Sequence, residues 1–259
     1  MLYLLQGDNT GNTPLMRAAQ YGADRCVQAL IQNKANADQG DNDGRVALLF
    51  AIQKNLEDTA LLLLPHTTIA GERGGKILYW IGRQGLVKVG REFLSMFRNL
   101  DKQSKENILR KGLEGAAKFG EGDIAELILN EEEEEEEKGK MSNDLLSLAV
   151  ISDQAKTVEV MLSHVDKVSS AVVDVAVKRH VTGVIDSFLQ NKTKLEEKDK
   201  ARLDGHSSVN VRKRAEELVE ANEVPKIPKS EEIEYSNIHE QFLNILDDDG
   251  KVPLKEAIR

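Results

Sequence analysis

The residues able to do chemistry are few, and their spacing does not suit it. Five histidines, His66, His164, His180, His206 and His239, are available, but none stands at a metal-ligand spacing such as HExxH. They read as surface and cap histidines. Cys26 is the single cysteine and stands on the apolar face of a predicted helix, where it reads as a small buried hydrophobe rather than a nucleophile. No GxSxG nucleophile motif occurs. Gly71-Glu72-Arg73-Gly74-Gly75-Lys76 invites comparison with a phosphate-binding loop. However, Ala70 stands where that loop needs its first glycine, and Ile77 where it needs a magnesium-binding hydroxyl. The stretch is expected to be a glycine-rich hairpin finger. Asp41-Asn42-Asp43-Gly44 has the look of a calcium loop, but Gln39 and Phe50 occupy its first and last ligand places. No catalytic residue, metal or cofactor is assigned, and the chain is expected not to be an enzyme.

The run Glu131 to Glu137 carries like charges that repel, so it is expected to be an extended, solvated loop between helices. The alternative is an acidic finger that touches a basic partner or divalent ions.

Composition narrows the class further. Net charge is -9, which argues against general nucleic-acid binding. One cysteine permits no internal disulfide and fits a reducing compartment, so a cytoplasmic location is expected. The cluster Arg212-Lys213-Arg214 leaves a nuclear one open. The cleanest apolar run, Thr59 to Leu64, is too short to cross a membrane, and Met1 to Leu5 is too short for a secretory signal.

The elements behind these residues repeat. Gly11, Leu15, Ala18, Gly22, Val27, Leu30 and Ile31 return 33 residues later as Gly44, Leu48, Ala51, Asn55, Ala60, Leu63 and Leu64. A period of this size marks stacked supersecondary units. Thr13 caps a first helix and Pro14 suits its first turn. Gly22 ends that helix in the left-handed conformation, and Cys26, Val27, Leu30 and Ile31 form the buried stripe of a second. Four further units follow, on Leu78, Leu113, Leu146 and Val173. The positions after the six first helices are Gly22, Asn55, Gly85, Gly120, Asp153 and His180, residue types that tolerate a positive φ. Residues 1–190 are thus expected to hold six units and a partial one at the start. Degenerate helical repeats are expected over 191–248, with helices at Thr193 to Leu203, Ser207 to Ala221 and Glu231 to Leu246. The stretch 249–259 opens a truncated unit. Neither end reads as a polar cap, so the chain is expected to be a fragment of a longer array or protein.

The turn glycine, Thr13-Pro14-Leu15, Ala18-Ala19 and Gly22 together resemble the ankyrin repeat. That resemblance implies an all-α, right-handed helical solenoid with short hairpin fingers. It also implies a scaffold or adaptor that binds another protein on its concave face. The alternative is a regulatory or tethering region of a larger channel, kinase or effector. An enzyme hidden in 191–246 is the remaining rival, and no polar constellation there supports it. The family's Thr-Pro-Leu-His motif is never whole here, and Met16, Leu49, Tyr79, Glu114, Ser147 and Asp174 stand at its histidine.

The resemblance places partner contacts just before each helix stop: Gln20 and Tyr21, Gln53 and Lys54, Arg83 and Gln84, Lys118 and Phe119, Lys178 and Arg179. Arg45 and Arg110, in hairpin positions, add to them. Ile151 and Ser152 occupy the equivalent place in unit five. The set holds no acid, so it is expected to attract an acidic segment of a protein partner, with Tyr21 and Phe119 as anchors. Lys and Arg are also common on exposed helices, which would give the same pattern with no ligand.

Overall fold

The computed structural model describes residues 7–132, 134–207, 209, 210 and 213. The expected elements at Met1 to Leu5, over most of Ser207 to Ala221, and from there to Arg259 lie outside the described residues. Helices alone make up the regular structure among those residues. The chain divides into two units, Met1–Met141 and Ser142–Arg259.

In the first unit the helices come in pairs: α1 (Pro14–Gln20) with α2 (Asp24–Gln32), α3 (Ala47–Gln53) with α4 (Glu57–Leu63), α5 (Gly71–Gln84) with α6 (Val87–Ser95), and α7 (Lys102–Phe119) with α8 (Gly122–Glu131). First helices pack side by side in the order α1, α3, α5, α7, and second helices in the order α2, α4, α6, α8. Helix α9 (Glu135–Ile151) contains the division between the units. The second unit adds α10 (Ala155–Ser163), α11 (Ser170–Arg179), α12 (Thr182–Gln190) and α13 (Glu197–Asp204). There α10 packs on α12, and α13 on both α11 and α12. The helix expected at Thr193 to Leu203 is instead a short 3-10 turn, Lys192–Lys194, followed by α13.

Each pair turns in the same way. Gly22, Asn55, Gly85, Gly120, Asp153 and His180 all take positive φ, between 52° and 84°. The next residue's N–H (Ala23, Leu56, Leu86, Glu121, Gln154, Val181) then donates to a carbonyl five residues back, at 2.9 to 3.4 Å. Those carbonyls belong to Ala18, Ala51, Ile81, Ala116, Ala149 and Ala176. This is the 6→1 bond of a helix ended by a left-handed residue. The core runs beneath it: Leu15, Leu48, Leu78, Leu113, Leu146 and Val173 are buried, with Phe93 and Phe188 the largest enclosed side chains.

Hairpin fingers occur before α1 and before α3. The Asp8 carboxylate accepts from the N–H groups of Thr10 and Asn12 and from the Thr10 hydroxyl, and pairs with Arg17 at 3.0 Å. Asp41 does the same for Asp43 and Arg45. The fingers join where the Asn42 N–H donates to the Thr10 carbonyl at 3.2 Å. Thr13 caps α1 by accepting from the Met16 N–H, and its own N–H points to the Met16 sulfur at 3.3 Å. The residue at the family's histidine place thus closes a local cap.

Four expectations change from here on. The Gly71 to Lys76 stretch is not a finger but the first turns of α5. Arg110 is not in a hairpin but inside α7. The acidic run is not an extended loop throughout: Glu131 ends α8, and α9 begins at Glu135. Carboxylates suit a helix N-terminus, and Lys140 pairs with Glu136 and Glu137 one turn on, while Lys102 pairs with Glu134. The finger is replaced by added helix, and first helices lengthen from 7 residues in α1 and α3 to 14 in α5 and 18 in α7. Cys26, lastly, is exposed. Its equivalents Thr59, Val89 and Ile124 are buried by a preceding pair, whereas α2 has no described helix on that side. Of its stripe only Val27 is buried, with Leu30 and Ile31 half-buried.

The long helices α5 and α7 approach unusually closely. A Cβ on Gly82 would lie 2.4 Å from the Gly112 carbonyl oxygen, and one on Gly115 would lie 2.3 Å from the Tyr79 carbonyl oxygen. Only glycine lets the two backbones meet at these points.

Candidate partner-binding face

The close approach of α5 and α7 brings the ends of the first helices together. The Gln84 side chain, at the end of α5, donates to the Gln53 carbonyl at the end of α3, at 3.1 Å. Two residues before the α5 stop at Gly85, the Arg83 guanidinium carbon lies 4.5 Å from the centre of the Trp80 ring. On the α7 side it lies 4.4 Å from the centre of the Phe119 ring. Arg83 thus makes a cation–π contact with one aromatic ring from each helix. Lys118 stands 5.9 Å from the Phe119 ring, and Tyr79 meets Trp80 edge-on at 6.2 Å. Gln53, Lys54, Arg83, Gln84, Lys118 and Phe119 therefore form one row across α3, α5 and α7.

Local physics accounts for cations in this place. The last carbonyls of a helix carry partial negative charge, which favours a basic residue in the final turn. Arg83 and Lys118 occupy such turns, and Lys54 follows the last residue of α3. Among the described residues no carboxylate lies within ion-pair distance of these three.

The other expected contacts divide differently. Arg45 does not offer a free charge: it pairs with Asp41 at 2.7 Å and Asp43 at 3.0 Å and stacks over Phe50 at 5.1 Å. The hydrogen bond to Asp41 raises its pKa further, against a smaller opposing effect of burial. Arg110 sits half-buried within α7, well before the row. Gln20 and Tyr21 end α1. Tyr21 is 76% exposed and borders an open apolar hollow with Pro14, Ala18, Ala23, Cys26 and Leu30. Lys178 and Arg179 lie exposed at the end of α11 in the second unit. There burial raises the Asp153 carboxyl above its ordinary range, against the opposing charge of Arg179. Ile151 is 43% exposed. Trp80 is the contact that residue spacing passed over. It is the single tryptophan, and it stands one helical turn before Arg83.

Among the described residues no group of three or more His, Cys, Asp and Glu side chains is arranged to hold a metal ion. No described helix is long and apolar enough to cross a membrane.

A family model described as ankyrin repeats (3 copies) matches residues 1–72. No curated protein matches the chain at a significant level. Residues 1–72 are thus similar to ankyrin repeats, which generally serve as protein–protein interaction modules, and the paired helices, left-handed stops and joined fingers fit that likeness.

Proposed function

We propose that this chain is a protein-recognition module whose partner docks across the ends of α3, α5 and α7 through an acidic segment. One observation carries the reading. In a protein of net charge -9, Lys54, Arg83 and Lys118 stand in one row with no carboxylate among the described residues to neutralise them. Their helix ends stabilise them only in part, and an acidic ligand would complete the compensation. Rim charges of this kind act mainly on association rate and salt dependence, while aromatic anchors such as Phe119 slow dissociation.

The test is capture from cell extract with the wild-type chain beside a Lys54→Glu, Arg83→Glu, Lys118→Glu variant, with circular dichroism to show that both fold alike. The reading expects at least one partner, rich in Asp and Glu, that the folded variant no longer retains. Equal capture of every partner by both proteins overturns it and moves attention to the fingers and to the Glu131 to Glu137 run.

A further inference from the structure

We propose that Arg83 is a preorganised receptor for a single carboxylate side chain of the partner; this rests on the acidic-partner reading above. Arg17, Arg45, Arg73 and Arg202 each direct their guanidinium to a carboxylate of this chain. Arg83 has no such partner among the described residues. Its guanidinium carbon stands over the Trp80 ring at 4.5 Å and over the Phe119 ring at 4.4 Å. A guanidinium is weakly hydrated on its faces and donates its hydrogen bonds in its own plane. A guanidinium that rests on aromatic rings keeps its in-plane N–H fork for an incoming group. The two rings come from different helices, and Gly82 and Gly115 hold those helices together, so the fork is fixed before a ligand arrives. Fixing a side chain in advance removes much of the ordering cost of binding.

The setting selects the anion. Phosphate sites commonly gather backbone N–H groups at helix N-termini. The backbone beside Arg83 presents helix C-termini, of α3, α5 and α7, whose carbonyl ends oppose a dianion more than a monoanion. A planar, singly charged carboxylate matches the fork and meets the smaller penalty. The partner chemistry is therefore a Glu or Asp side chain, with Lys54 and Lys118 to receive neighbouring acids.

The experiment uses a dye-labelled octaglutamate peptide, followed by fluorescence anisotropy, with Trp80 emission as a second readout at the site. A phosphoserine peptide of equal charge runs alongside. Arg83→Lys keeps the charge and removes the fork, while the pair Lys54→Gln and Lys118→Gln removes charge and keeps the fork. The proposal expects octaglutamate to bind and to change Trp80 emission. It expects Arg83→Lys to weaken binding about ten-fold or more, the paired lysine variant to weaken it only a few-fold, and Phe119→Leu to fall between. Arg83→Lys binding within two-fold of wild type, while Arg83→Glu loses it, overturns the fork and leaves the acidic-partner reading standing. Tighter binding of the phosphoserine peptide overturns the choice of carboxylate. No binding of octaglutamate by the wild-type chain overturns both.

Discussion

Replacing Gly82 by alanine tests the seam on which the Arg83 site depends. The added Cβ would stand 2.4 Å from the Gly112 carbonyl oxygen and 3.0 Å from the Ala116 nitrogen, both backbone atoms that no rotamer change can move. Ordinary contact begins near 3.4 Å, so α5 and α7 must part by about 1 Å. Forced insertions into a packed core cost about 1–3 kcal/mol. Alanine returns up to about 1 kcal/mol through its higher helix propensity. The net expectation is a loss of about 1–2 kcal/mol, or a fall in Tm of about 2–8 °C for a chain of this size. Urea unfolding followed by helical circular dichroism reads this as a lower midpoint at unchanged slope. Gly183→Ala is the control. It lies exposed on α12, with only the Ala155 Cβ nearby at 3.5 Å, and is expected to be neutral or slightly stabilising. If Gly82→Ala matches or exceeds the wild type, α5 and α7 do not meet as described and the fixed fork has no foundation.

The left-handed stops give a second test. Asn55→Gly, at φ 57°, should stabilise by about 0.5 kcal/mol, whereas Gly120→Val, at φ 84°, should destabilise by at least about 1 kcal/mol, both measured by urea midpoint. Asp38 gives a pH dependence. Burial pushes its carboxyl up, but hydrogen bonds from the Thr68 hydroxyl and N–H, with the Arg73 guanidinium at 2.8 Å, outweigh it and hold the pKa below the ordinary value. The contribution is therefore fully present above the unfolded-state carboxylate pKa and is lost as pH falls through the lower folded-state value. Asp38→Asn should flatten the urea midpoint against pH in that acidic window, and an unchanged profile would count against the Thr68 and Arg73 contacts. Cys26, exposed on α2, should react with a thiol reagent in the native protein at the rate of a free cysteine, and protection until denaturant is added would restore the buried reading.

Much of the fold was legible because its signals are local. A positive φ after each first helix needs Gly, Asn, Asp or His at one position, and six units supplied one each. The buried leucines of the first helices followed from the same register. What misled were stretches whose conformation is decided at a distance. Gly71 to Lys76 has the composition of a loop, yet its glycines serve a helix that must press against α7. The glutamates repel one another, yet Lys102 and Lys140 and the start of α9 relieve them. Cys26 has core spacing, but burial needs a neighbouring pair as well as a pattern. Two features of the face could have been found. Asp41 and Asp43 flank Arg45 closely enough to claim its charge, and Trp80 sits at helical spacing from Arg83.

The seam between α5 and α7 also bears on how the first unit yields under load. Along the row of first helices α1 packs on α3, α3 on α5 and α5 on α7, so tension along the row passes from joint to joint. The α1–α3 joint unites two helices of two turns each, reinforced by a finger bond from Asn42 to Thr10. The α5–α7 joint unites helices twice as long or longer, in backbone contact. Compliance is thus concentrated at the short-helix end, and the long pair behaves as a stiff block. Trp80 belongs to α5 in that block and meets Arg83, which also meets Phe119 of α7, so its emission acts as an optical strain gauge: it changes when the stiff part gives way and stays constant while the short helices detach.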